Sequence, residues 1–233
     1  MLSKILRKSF TVKLWETLFR FIRYYLPLAF LFRCLKKSLK IKEDEELYAL
    51  IDAWVHLHLF LAIILWAAFS IVDSVVWLTW IFVIYGILRI SDIVIYNINV
   101  ILFDQYRHNG SKKDHMVRSF RRILICLFIN YSEILLWFAI FYRFFKHCFS
   151  MPNVCLNNLW GSLYFSIVTM TTLGYGDIKP INNCGACLCG LQTLIGVFWV
   201  VVVVARFITV LPKFETRDPD ERRLDNKTGK EMK

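Results

Sequence analysis

The residues best equipped for chemistry form one unbroken stretch, Thr169, Met170, Thr171, Thr172, Leu173, Gly174, Tyr175, Gly176 and Asp177. What its TTLGYG core offers is oxygen. The run lines a pore with oxygen if its backbone points the carbonyls inward. Gly174 and Gly176 tolerate backbone angles closed to other residues, so such a ribbon can form there. Thr172 adds a hydroxyl at the inner end, while Leu173 and Tyr175 turn their side chains outward to be packed. Such oxygens suit binding rather than bond-making.

A ribbon of this kind has to be held within a membrane, and the composition provides for that. The 233 residues are 57% hydrophobic and 16% aromatic, yet the formal net charge is +11. Three or four apolar runs reach the roughly 20 residues that a bilayer demands. The expected fold is an all-α membrane protein with four transmembrane helices. A re-entrant pore helix and filter lie between the third and fourth, and an amphipathic helix precedes them at the interface. The N-terminus lacks the apolar core and small-residue cleavage site of a signal peptide. The 29 Lys and Arg residues cluster beside the apolar runs, which suits anionic lipid at a cytoplasmic face and not nucleic acid. No paired C-x-x-C, phosphate-binding glycine loop or H-E-x-x-H helix occurs, so nothing points to an enzyme, an organic cofactor or a zinc site.

Taken in order, residues 4–25 read as an interfacial helix. Lys13, Glu16, Thr17, Arg20 and Arg23 form its polar stripe, with Leu14, Trp15, Leu18, Phe19, Phe21 and Ile22 opposite. The same pattern also suits a helix packed on the protein's own surface. Pro27 breaks or kinks it, and 36–46 reads as a charged linker. Spans are expected over 54–72 and from 75 into the 90s, joined by so short a turn at Asp73–Ser74 that they form a tight antiparallel hairpin. His56 and His58, two residues apart, face different ways on that helix and make no metal site. A basic loop (103–122), a third span (123–145), a polar segment (146–158), a short helix (159–170), a turn at Lys179–Pro180 and a fourth span (186–211) follow. The divisions are 1–48, interfacial and basic; 49–121, hairpin and loop; 122–212, pore domain; and 213–233, a charged tail.

Charge sets the orientation. Residues 1–48 carry eleven basic and five acidic side chains, and 103–122 carry six and two. Positive-inside counting puts both termini and that loop in the cytoplasm, and hence the filter at the outer face of a multi-pass cell-membrane protein. Arg89, Asp92 and Glu133 stand inside apolar runs, where charges face protein or water and pair. Arg89 and Asp92 are one turn apart, and Glu133 can reach Arg89 from the third span. The arrangement reads as a buried link between hairpin and pore, with gating or sensing as the alternative.

The TTLGYGD run resembles the potassium-channel signature, with Leu173 where valine is more usual, and the resemblance extends over residues 122–212. It implies a homotetramer, since one filter per chain cannot enclose an ion. It implies K⁺ bound by Thr172, Leu173, Gly174 and Tyr175, with Gly176 at the outer mouth. Thr171 supports the filter, as do Tyr164 and Asp177, whose spacing matches a tryptophan–aspartate pair in many members. Phe165 and Val168 stand where some members have polar braces. Gly196 has the spacing of the inner-helix hinge glycine, a position equally suited to close packing, and Gly190 reads as packing. Val197, Val200, Val204 and Ile208 would line the cavity, with the gate at Val204 or Ile208. Cys155 and Cys184 would match a bridge that braces the pore in inward-rectifier channels, with Cys148 as competing partner.

The implied function is passive, K⁺-selective conduction. A voltage sensor needs four helices and an arginine ladder, whereas two spans and Arg89 precede the pore. The alternatives are a potassium-transporter subunit, which would carry four degenerate pore loops in a longer chain, and a non-conducting regulatory subunit. The intact signature argues against both.

Overall fold

The computed structural model describes residues 10–41, 44–72, 76–107, 120–151 and 156–210. The Asp73 turn, most of the basic loop, Cys155 and the charged tail lie outside them. Helix α1 (Phe10–Tyr25) is followed by α2 (Pro27–Ser38). Pro27 therefore starts a helix where the sequence suggested only a break. Leu26 before it is extended (φ −62°, ψ 124°), as a residue preceding proline prefers, and proline fits the first helical position because its missing N–H has no partner to lose. α2 occupies the first residues of the expected linker, and α3 (Asp44–Val72) starts ten residues before the expected span. Glu45 and Glu46 in its first turn suit the positive end of a helix.

The long helices α4 (Val76–Arg107), α5 (Phe120–Phe144) and α7 (Asn183–Val210) follow, with the short α6 (Leu159–Met170) before α7. Among the described residues, four helices are long and apolar enough to cross a membrane: Glu45–Phe69, Trp77–Asn99, Arg122–Phe144 and Asn183–Ile208. Helix α5 is the hub, packing against α3, α4, α6 and α7. Residues 136–143, apolar but for the Tyr142 hydroxyl and Arg143, are buried on every face, as a helix inside a bundle should be. The expected hairpin is correspondingly looser than foreseen, since α3 packs chiefly on α5 and only lightly on α4.

Between α5 and α6 lies a two-residue strand β1 (Phe149–Ser150), paired antiparallel with β2 (Lys179–Pro180) in the register Phe149 to Pro180 and Ser150 to Lys179. Lys179–Pro180 is thus a strand and not the expected turn. The Ile181 amide donates to the Cys148 carbonyl at 2.9 Å. The chain leaving the filter is thereby stitched back to the end of α5.

Candidate functional site

α6 aims the stretch at 169–177. Its first turn is capped by Asn158, whose side chain accepts from the Trp160 amide at 3.3 Å. Its buried face carries Gly161, Ser162, Phe165 and Ser166, small enough on one side for close approach to α5. At its C-terminal end the chain does not leave freely. The Thr171 amide donates to the Ile167 carbonyl (2.9 Å), the Thr172 amide to Thr169 (3.1 Å), and the Leu173 amide to Val168 (3.0 Å). These bonds occupy carbonyls that a helix end otherwise leaves unpaired.

From there the backbone alternates. Thr172 (φ 59°), Gly174 (φ 55°) and Gly176 (φ 76°) are left-handed, while Leu173 and Tyr175 between them are not. Alternating left- and right-handed residues put successive N–H groups on one side of a ribbon and successive carbonyls on the other. With the Thr172 and Leu173 amides tied to α6, this alternation would turn the carbonyls away from it. Glycine takes such angles freely, but threonine does so at roughly 1–2 kcal/mol. The left-handed Thr172 was not foreseen, and its residue type gives no signal for it. Its place two residues before Gly174 continues the alternate spacing. The Thr172 hydroxyl donates to the Thr171 carbonyl at 2.6 Å, and the Thr171 hydroxyl donates to Ile167 at 2.7 Å. Both hydroxyl oxygens keep lone pairs free to accept.

The Tyr164 hydroxyl donates to the Asp177 carboxylate at 2.8 Å, and its ring lies parallel to that of Tyr175 at 6.4 Å. The bond to Asp177 holds the Tyr164 proton above the ordinary phenol value. Phe165 and Val168 are buried apolar side chains and offer the ribbon no polar contact. A second set of polar contacts was not foreseen. Tyr142, Ser166 and Gln192, fully buried, are joined in one chain of hydrogen bonds behind α6. Three polar residues on three separate apolar helices carry no shared period that would link them in the sequence.

The intramembrane charges meet as one cluster. Arg89 donates from Nε to Glu133 Oε1 (2.7 Å) and from a terminal nitrogen to Oε2 (2.9 Å), with Asp92 at 3.2 Å on its other side. The Trp137 indole donates to Glu133 at 3.3 Å. Gly86, one turn before Arg89, makes the approach possible, since a Cβ there would stand 2.6 Å from the Trp137 ring. Nearer the helix starts, Arg122 donates from Nε to both Asp52 oxygens (2.8 and 2.9 Å), joining α5 to α3. His56 and His58 bond separately to backbone carbonyls, and no metal-holding cluster occurs among the described residues.

On α7, Gly196 is pressed against α6. A Cβ there would fall on the Met170 carbonyl oxygen. Gly190 meets nothing within 4 Å in the single chain, so it packs on no neighbouring element there. Val197, Val200, Val204 and Ile208 share an exposed face. Cys184 lies with its thiol against that of Cys148, and both are free. Its other candidate partner, Cys155, falls outside the described residues.

Four membrane-length helices with a short helix and its oxygen ribbon between the last two make this an all-α membrane protein built for ions. Residues 131–213 match the "Ion channel" family. The chain is 33% identical over 82 residues to a potassium channel protein of Paramecium bursaria Chlorella virus 1, a match covering 33% of this chain and 86% of that one. It is 38% identical over 60 residues to a voltage-gated potassium channel protein of Caenorhabditis elegans, covering 24% and 11% of the two chains. It is 36% identical over 61 residues to a hyperpolarization-activated voltage-gated potassium channel of Methanocaldococcus jannaschii, covering 26% of each. No solved structure matches. The chain belongs to the potassium-channel family, a family of ion channels and not of enzymes. It spans most of the viral relative but about a tenth of the nematode one and a quarter of the archaeal one.

Proposed function

We propose that four copies of this chain assemble around a common axis and pass K⁺ passively and selectively. In this reading the Thr172 hydroxyl and the carbonyls of Thr172, Leu173, Gly174 and Tyr175 replace the water around the ion, and Gly176 forms the outer mouth. Both termini and the basic loop lie in the cytoplasm, with anionic lipid against the groove lined by Arg33, Lys36, Lys37 and Lys40.

The observation that carries the proposal is the ribbon itself. Three left-handed residues stand at alternate positions, the spacing that would lay carbonyls along one side of a ribbon, and a single chain supplies only one such row. Leu173 and Tyr175 are exposed in the single chain, Tyr175 by 66%. Rotational symmetry both closes the row into a ring and covers these surfaces. The negative end of α6 beneath the ribbon favours a cation in the cavity.

The test is recording from the full chain reconstituted in planar bilayers with K⁺ on one side and Na⁺ on the other. K⁺ and Rb⁺ should pass and Na⁺ be largely rejected, with Gly174→Ala abolishing conduction because its left-handed angle no longer comes free. Equal K⁺ and Na⁺ currents through the unaltered protein would refute it.

A further inference from the structure

The polar chain behind α6 has no part in lining the ribbon, yet its geometry is complete. The Gln192 amide nitrogen donates to the Ser166 carbonyl at 2.9 Å and to the Ser166 hydroxyl at 2.8 Å. That hydroxyl donates in turn to the Leu135 carbonyl at 2.8 Å. The Tyr142 hydroxyl donates to the Gln192 amide oxygen at 2.6 Å. Each polar atom of the Gln192 side chain is therefore used, in a place closed to water. Three helices meet there: α5 through Leu135 and Tyr142, α6 through Ser166, and α7 through Gln192.

The register around this point carries the argument further. Ser166 and Met170 are one turn apart on α6, as are Gln192 and Gly196 on α7. Gln192 bonds Ser166, while Gly196 abuts the Met170 carbonyl. The two helices thus meet twice along matching turns, once by hydrogen bonds and once by backbone contact. Met170 stands two residues before Thr172, where the left-handed alternation begins. A shift of α6 along its axis would break the polar contact and carry the ribbon's inner end with it.

We infer that Gln192, Ser166 and Tyr142 are positioning residues for the filter: their hydrogen-bonded bridge fixes α6 against α5 and α7, and so sets the spacing of the ribbon's oxygens on which ion selection depends. The inference rests on the reading of this chain as a K⁺-selective pore. Apolar packing alone would let α6 slide at little cost, because lipid and protein interior are similarly apolar. Directional bonds to a buried amide resist sliding, since a broken one leaves buried polar groups without partners.

The test uses the full chain in planar bilayers, reading the K⁺/Na⁺ permeability ratio from reversal potentials, with assembly followed on native gels. Gln192→Leu should lower the ratio about tenfold while the assembly persists, the factor that corresponds to one buried hydrogen-bonding group left unpaired. Tyr142→Phe removes a single hydroxyl and should lower it less. Adding Ser166→Ala to Gln192→Leu should lower the ratio by less than Ser166→Ala does alone, because one bond of the Ser166 hydroxyl is already lost and only its bond to the Leu135 carbonyl remains to be removed. Val202→Ala loosens a fully buried position on α7 away from this bridge, and should leave the ratio unchanged. The inference is overturned if Gln192→Leu and Tyr142→Phe both keep the unaltered ratio, or if Val202→Ala lowers it as much. Should Gln192→Leu fail to assemble, Tyr142→Phe decides alone. An unaltered protein without K⁺ preference removes the pore reading and this inference together; a selective one with equally selective variants removes only the inference.

Discussion

Arg89 and Glu133 face each other through two parallel hydrogen bonds, 44 residues apart in the chain, with Glu133 wholly buried and Arg89 3% exposed. The pair joins α4 to α5, the helix on which α6 and α7 pack, and Asp92 closes the other side of the guanidinium. Removing Arg89 leaves the buried Glu133 carboxylate without its cation, whereas removing Glu133 leaves Arg89 its bond to Asp92. Arg89→Leu should therefore destabilise the protein by about 3–5 kcal/mol, and Glu133→Ala by less. The Arg89→Leu/Glu133→Leu double variant should recover part of that loss. Thermal unfolding in detergent micelles measures it, and a double variant less stable than either single one would contradict the pairing.

A second prediction concerns the outer end of the ribbon. From α6, the Tyr164 side chain bonds to the residues after the ribbon, at Asp177. Tyr164→Phe should therefore raise Na⁺ permeability severalfold and shorten the time that current persists at low K⁺. The bond raises the tyrosine's proton affinity, so the brace is complete below the ordinary phenol value of about 10. It is lost only as the pH climbs through the raised value. Selectivity should accordingly stay constant from neutral pH up to about 9 in the unaltered protein. A fall in selectivity across that window that is absent in Tyr164→Phe would show that the tyrosine loses its proton earlier.

Gly196 admits a sharper test than its spacing suggested. A bending point needs freedom of backbone angle, whereas a contact point needs room. Here the missing side chain makes room for the Met170 carbonyl. Gly196→Ala should push α7 off α6 at a cost of about 1–3 kcal/mol, as overpacking does, and should disturb ion selection as well as opening. If instead Gly196→Ala alters only opening kinetics, with stability and permeability ratio unchanged, the glycine acts as a hinge.

Much of this architecture was legible in the chain, and the reasons differ from part to part. α6 begins and ends where its pattern indicated, because an asparagine cap and the polar TTLGYG run bound an apolar turn on both sides. The contact between Arg89 and Glu133 could be foreseen because charges in apolar runs have few ways to be satisfied. The Tyr142–Gln192–Ser166 bridge could not. Serine, tyrosine and glutamine are tolerated on many helix faces, and only the packing of three helices brings these together. The start of α2 at Pro27 was misjudged because proline both ends helices and begins them, and the residues after it decide which. The weak contact between α3 and α4 reflects competition from α5, which holds α3 through the Arg122–Asp52 link and α4 through the Arg89–Glu133 pair as well as by apolar packing.

The last prediction places the gate. Along α7, Val197, Val200, Val204 and Ile208 recur at three- and four-residue intervals, and all four are exposed in the single chain, Val204 by 50% and Ile208 by 64%. In the four-fold assembly proposed above, this face would line the cavity below the ribbon, and four copies of Val204 or Ile208 would converge near the inner end as an apolar ring. Such a ring stops ions by expelling water, since a cation stripped of its hydration gains nothing in exchange from hydrocarbon. Polarity at the ring should therefore matter more than bulk. Val204→Asn and Ile208→Asn should hold water in the constriction and raise resting open probability. The K⁺/Na⁺ permeability ratio should stay as it is, because the ribbon lies more than twenty residues away in the chain. Val204→Leu, which keeps the ring apolar, should stay closed at rest. Single-channel recording decides the matter: if both asparagine variants rest as closed as the unaltered protein, this ring is not the gate and the ribbon becomes the element that controls flow.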